Sequence, residues 1–237
     1  MMMRTTTGSI GRTPTPGARV AACSALLPVA CAALLVSASA HAGALEDAGS
    51  LAERTASLYE RSSSYRIEFI QESYWALADS TIVSGGVLLA EPPTNISIEY
   101  EDGGRVVSTG DSIWVFVPQT NQFYSAAVDS ADVSLDLAAL LRRYSPDPSG
   151  PFGEAPPGSR TLRLKPDDGF VEPEQLAVTI DGNTGTVTLV CARSTSGDTM
   201  TYRMIATTFD APLPEGTFSA RRPSGAELVR GQLPGAP

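Results

Sequence analysis

The sequence predicts a mainly β protein: a meandering antiparallel sheet of about eleven segments, curled over helical elements. Three observations predict it. Eleven short stretches rich in β-branched and aromatic residues follow one another from Tyr65 onward. The connections between them are mostly short turns, and short turns force neighbours to pair antiparallel, because a parallel pair needs a long crossover. Only two stretches carry the three- and four-residue apolar spacing of a helix. A sheet of so many strands must curl or close to bury one face. The spacing alone leaves two forms open, a closed sheet with a helical plug and an open one with a helical lid.

The chain begins with an export signal. Residues 1–42 hold Arg4, Arg12 and Arg19 but no acid, an apolar run from Val20 to Val36, and a close at Ala40-His41-Ala42. The run is short of the ~20 residues of a membrane helix, so residues 1–42 are expected to be a cleaved secretory signal. Residues 43–237 are then one domain. Val20-Ala21-Ala22-Cys23 resembles a lipid-attachment box without an apolar core before it, and Cys31 has the core but Pro28 where such boxes carry Leu. A soluble periplasmic protein is the expectation.

Removing the signal takes away the single histidine and two of three cysteines, and moves the formal charge from −9 to −12. A lone Cys191 excludes an intramolecular disulfide, and without His most metal, thiol and triad chemistry loses its usual residues. The negative charge opposes nucleic acid and anionic membrane.

Residues 45–60 place Leu45, Ala48, Leu51, Ala52, Thr55, Leu58 and Tyr59 on one helical face. Strands are predicted at Tyr65–Trp75, 81–90, 95–101, 105–109, 112–117 and 122–128. Glu91-Pro92-Pro93 separates the second from the third, since proline lacks the N–H that a continuous ladder needs. A helix over Asp132–Tyr144 carries Val133, Leu137, Leu140, Leu141 and Tyr144 inward, with Arg142 and Arg143 suited to its C-terminal end. Falling between the two halves of the sheet, it is expected on the concave face above an apolar cavity. Five prolines and three glycines make 145–159 a loop. Strands resume at 160–165, 175–181, 186–193, 199–209 and 216–222, and Asp181-Gly182-Asn183-Thr184-Gly185 turns a hairpin.

No catalytic constellation emerges. The Asp181 turn lacks the closing Glu and the helical flanks of a calcium loop. Asp167-Asp168-Gly169 reads as a solvated turn, Asn95-Ile96-Ser97 as a chance glycosylation match, and Cys191 as a buried inert thiol. The expectation is no enzyme activity, no cofactor and no metal.

Residues 69–122 resemble the outer-membrane lipoprotein carrier family, the LolA-like proteins. The resemblance rests on Phe69-Ile70-Gln71, Gly86, the strand to the prolines, Ile96, Ile98 and Tyr100. It is most specific over Val106-Val107-Ser108-Thr109-Gly110-Asp111-Ser112-Ile113-Trp114-Val115-Phe116-Val117-Pro118, with Gln122 beyond. Leu176–Ile180, Phe218 and Pro223-Ser224-Gly225 match more loosely. The resemblance implies an open, incomplete barrel of about eleven antiparallel strands with helices as plug or lid. It implies a monomeric periplasmic carrier that takes lipoprotein acyl chains from an inner-membrane ABC releasing complex to an outer-membrane receptor lipoprotein or the outer membrane. Candidate ligand-binding residues are then Phe69, Leu88, Ile96, Ile98, Tyr100, Trp114, Phe116, Leu137, Leu140 and Leu141. The chain departs from the family where an Arg before the proline holds the lid: here that position is Glu91 or Pro92. A non-transporting lipid or hydrophobic-ligand binder or envelope sensor on the same fold is the alternative. A solid core without a cavity beneath residues 132–144 would overturn both.

Overall fold

A computed structural model describes residues 47–127, 136–147, 155–166, 173–231 and 233. The expected signal, residues 132–135 of the second helix and Asp167-Asp168-Gly169 lie outside the described residues. The described elements are α1 (Ala48–Arg61), β1 (Tyr65–Trp75), β2 (Ser80–Glu91), β3 (Asn95–Tyr100), β4 (Arg105–Thr109), β5 (Ser112–Val117) and β6 (Gln122–Ala127). They continue with α2 (Leu137–Arg143), β7 (Tyr144–Pro146), β8 (Ser159–Pro166), β9 (Gln175–Asp181), β10 (Val187–Arg193), β11 (Thr199–Phe209) and β12 (Glu227–Arg230).

The twelve strands form one sheet in the order β12-β6-β5-β4-β3-β2-β1-β11-β10-β9-β8-β7. The edge strands β12 and β7 do not pair with each other, so the sheet is open. Two differences from the sequence expectation stand out. Residues 216–222 make turns and irregular chain, and the closing strand is β12, which pairs parallel with β6 from Glu227 opposite Gln122 to Arg230 opposite Ser125. The long crossover from β11 permits that parallel pair. Tyr144 ends the second helix and begins β7, which pairs with β8.

The helices are built as their sequences dictate. Asp47 caps α1, its carboxylate accepting from Ser50 N–H at 2.9 Å and Ser50 Oγ–H at 2.7 Å. Asp136 caps α2 by accepting from Ala138 and Ala139 N–H at 2.9 and 3.1 Å. The apolar face of α1 (Leu51, Ala52, Ala56, Tyr59) and that of α2 (Leu137, Ala138, Leu140, Leu141) are buried on the sheet. Their partners are Tyr65, Ile67, Phe69, Leu88, Ala90 and Ile98 on one side, and Leu162, Leu164, Val178, Ile180, Val187 and Val190 on the other.

Period-two alternation sets which residues face the helices. On β1, Tyr65, Ile67, Phe69, Gln71 and Ser73 are buried while Ile70, Glu72 and Tyr74 between them are exposed. Register carries the same face across the sheet: Leu88 lies opposite Ile67, Ile98 opposite Leu88, Val106 opposite Ile98 and Val115 opposite Val106. Turn chemistry fixes the ends. Asp181 Oδ1 accepts from Asn183 and Thr184 N–H at 3.0 and 2.8 Å, and Gly185 takes φ 74° to complete the β9–β10 hairpin.

Tyr59 joins α1 to the sheet. Its ring meets Tyr65 and Phe209 edge to face, with centroids 5.1 and 5.2 Å apart. Its hydroxyl accepts from Val187 N–H at 3.1 Å, where the β9–β10 register slips. Burial pushes the phenol up to about 12, so it stays protonated at neutral pH. Tyr59→Phe keeps the packing but leaves that buried N–H without a partner. The expected cost is about 1–3 kcal/mol, read as a lower urea midpoint at unchanged slope; an unchanged midpoint would contradict this role.

Candidate ligand groove and helical clasp

Among the described residues the concave face packs as core against the helices and is hollowed beside and beyond them. Phe69, Leu88, Ile98, Leu137, Leu140 and Leu141 all lie within the buried core, and Ile96 and Tyr100 pack against it half-buried. Against α2 lies a hollow of about 20 Å³, lined by Ile67, Phe69, Leu88, Leu137, Tyr202 and Met204, room for about one water-sized group. A hollow of about 490 Å³ borders the start of the same helix at Asp136, Ala138 and Ala139.

The space lies farther along the same face. β1, β2 and β11 run on past the helices, and their far halves wall a half-open groove of about 520 Å³. Trp75, Ile82, Tyr100, Val106, Val115, Val117, Met200 and Tyr202 line it, with Gln71, Ser73, Ser84, Asp102, Arg105 and Gln119 as polar members. Ile82 is 56 % exposed beside it. The volume falls within the range of small-molecule sites, roughly 300–1,000 Å³.

An aromatic partition separates core from groove. Phe69 meets Tyr100 and Tyr202 edge to face, with centroids 5.8 and 5.7 Å apart. Gly86 lies opposite Phe69, and a Cβ there would come within 2.6 Å of Phe69 Cζ and 2.8 Å of the Glu99 carbonyl oxygen. Only glycine lets that ring lie across β2. Burial pushes the phenols of Tyr100 and Tyr202 above their ordinary values.

Trp114 lies on the other face of β5, and Phe116 borders both hollows. Val115 points into the groove, so by alternation its neighbours point outward. There Trp114 and Phe116 border a separate hollow of about 200 Å³ with Val107, Phe123, Arg105, Ser219, Ala220, Arg221 and Pro223. The chain after β11 covers this outer patch, with Arg105 Nη2 donating to the Thr217 carbonyl at 2.7 Å. Phe116 also borders the main groove. Cys191 is half-buried and not sealed, its Sγ within 3.7 Å of Thr201 Oγ1.

The lid-switch positions take other roles. Glu91 Oε2 accepts from Asn95 Nδ2 at 2.9 Å across the β2–β3 turn. Pro92 borders a second hollow of about 490 Å³ with Pro93, Thr94, Ile96, Tyr65, Glu60 and the first residues of α2, Asp136, Ala138 and Ala139. Neither residue supplies a cation to α2. Arg142 does the holding instead: it forks to Glu60 on α1 at 2.8 and 2.9 Å and also pairs with Glu53. The sequence offered Arg142 only as a helix-end charge; its partners lie more than eighty residues away.

Among the described residues no group of acids, His and Cys is arranged to hold a metal ion, and no helix is long and apolar enough to cross a membrane.

No family model matches the sequence, and no curated protein matches it. Solved structures are similar to it. An uncharacterized conserved protein from Thermus thermophilus is 15% identical, with 76% of this chain and 96% of that one covered at a TM-score of 0.45. A putative outer membrane lipoprotein-sorting protein domain from Vibrio parahaemolyticus is 9% identical, with coverages of 71% and 94% and a TM-score of 0.43. A LolA superfamily protein from Nitrosomonas europaea is 12% identical, with coverages of 72% and 96% and a TM-score of 0.40.

The clasp has a testable pH dependence. The Arg142 guanidinium, first by its hydrogen bonds, holds the Glu60 carboxyl below its ordinary value. A depressed carboxyl contributes at neutral pH and loses its contribution as pH falls through the lowered value. Amide exchange in α2, corrected for its intrinsic rate, should therefore quicken only below the ordinary carboxylate range. In Arg142→Met it should already be fast at pH 7 and show no such step. Equal protection of α2 in both proteins at pH 7 would refute the clasp.

Proposed function

We propose that this protein is a LolA-like periplasmic carrier, which shelters the acyl chains of lipoproteins in the apolar groove and moves them from the inner to the outer membrane. One observation carries the reading: the half-open groove of about 520 Å³ on the concave face, with mostly apolar walls and an exposed apolar margin. Burying a methylene is worth about 0.8 kcal/mol, so a sixteen-carbon chain gains roughly 12 kcal/mol from such shelter. A carrier must also let go, and a groove open on one side suits release better than a sealed pocket. Many groove residues, from Gln71 through Tyr100, Val106 and Val115 to Pro118, fall inside residues 69–122, which resemble the LolA-like family.

On this reading residues 1–42 direct export and are cleaved near Ala42, and residues 43–237 act as a monomer that binds without turnover. The partners are an inner-membrane ABC releasing complex and an outer-membrane receptor lipoprotein or the outer membrane itself. One observation favours the second reading, a non-transporting binder or envelope sensor. Glu91 is engaged by Asn95, Pro92 has no donor, and α2 is held to α1 by Arg142 and not by the β2–β3 turn.

Incubating the purified protein with inner-membrane vesicles should release lipoprotein into a soluble complex. Val115→Glu, which sets a carboxylate in the groove wall away from the core, should reduce that complex tenfold or more. Uptake of free apolar ligands with no release of lipoprotein would support the second reading. Failure to take up either would overturn both.

A further inference from the structure

Gln71 is 8 % exposed and lines the groove, standing in register with Ser84 on β2 and Tyr202 on β11. Its Nε2 donates to Ser73 Oγ at 2.9 Å. Its Oε1 has no hydrogen-bond partner and is out of reach of solvent. Buried acceptors are almost always paired, and one left unpaired carries its full desolvation penalty. Ser73 Oγ is engaged by the amide nitrogen of Gln71 itself, and no described residue donates to the Gln71 oxygen. The acceptor is therefore open to a donor from outside the described chain.

We propose that Gln71 Oε1 accepts a hydrogen bond from the ligand, so that the groove selects apolar chains carrying an N–H or O–H group, as an amide-linked acyl chain does, over ester-linked ones. This rests on the groove reading above and names the ligand chemistry that the groove prefers. A chain laid along the groove beside Tyr202, Met200 and Val115 brings its amide N–H to the Gln71 carbonyl, with these side chains giving way around it. An ester of the same length fills the same volume but leaves the acceptor as it was.

N-methylpalmitamide and methyl palmitate differ only by N–H against O at the head. Their affinities are measured by displacement of a fluorescent apolar probe from the wild-type protein and from Gln71→Met, which keeps the side-chain length. The amide-to-ester affinity ratio should be about tenfold higher in the wild type than in Gln71→Met, with the ester bound no more weakly by the variant. The carbonyl ¹³C resonance of the Gln71 side chain should move on adding the amide and not the ester, a readout that needs no variant. The same ratio in both proteins, or a resonance that responds alike to both chains, would overturn the selection while leaving the groove reading in place. Failure of both chains to displace the probe would overturn the two together.

Discussion

Strands of eleven and twelve residues span roughly 36–40 Å, whereas the fourteen-residue α1 is about 21 Å long and α2 half that. The described helical residues are shorter than the concave face of β1, β2 and β11. Among the described residues the part against the helices is core and the rest lines the groove. Burial along β2 records the boundary: exposed or half-exposed residues from Ser80 onward give way to Leu88 and Ala90 only near its end. The core, the groove and the placing of every candidate residue follow from this mismatch in length.

The boundary itself is chemical. Phe69 belongs to the core by burial and to the groove by contact, because its ring lies against Tyr100 and Tyr202. That arrangement depends on the missing side chain at Gly86. On one side of it the face is aliphatic and filled; on the other it mixes Val106 and Val115 with Gln71 and Ser73. One β strand thus presents a folding surface at its start and a recognition surface at its end, with no change in its period-two pattern.

Much of this was legible in the sequence. Ten of the eleven predicted strands, both helices and the hairpin after Asp181 occupy the expected places, because turn residues and periodicity are local signals. The parallel strand β12 was missed: four residues, Glu227–Arg230, carry too little pattern, and their pairing with β6 spans more than a hundred residues. The site was legible in part. Tyr100 and Phe116 border the groove, whereas Trp114 lies on the other face of β5. The leucines of α2 lie in the buried core against the sheet. Arg142 was invisible as a clasp because helix-to-helix pairing is set by tertiary contact, which no spacing along the chain reports.

The sheet order has a consequence for how the chain acquires its structure. β1 lies between β2, its neighbour in sequence, and β11, whose residues 199–209 follow some 130 positions later. The first ladder can close as a hairpin while the second must wait for nearly the whole chain. Loop closure over such a separation is slow, and contact order sets the rate. A chain emerging N-terminus first therefore holds one edge of its eleven-residue first strand unpaired until almost the last strand arrives. That waiting edge, with its free N–H and C=O groups, is where a holding chaperone would have to act and where two newly made copies would first mispair.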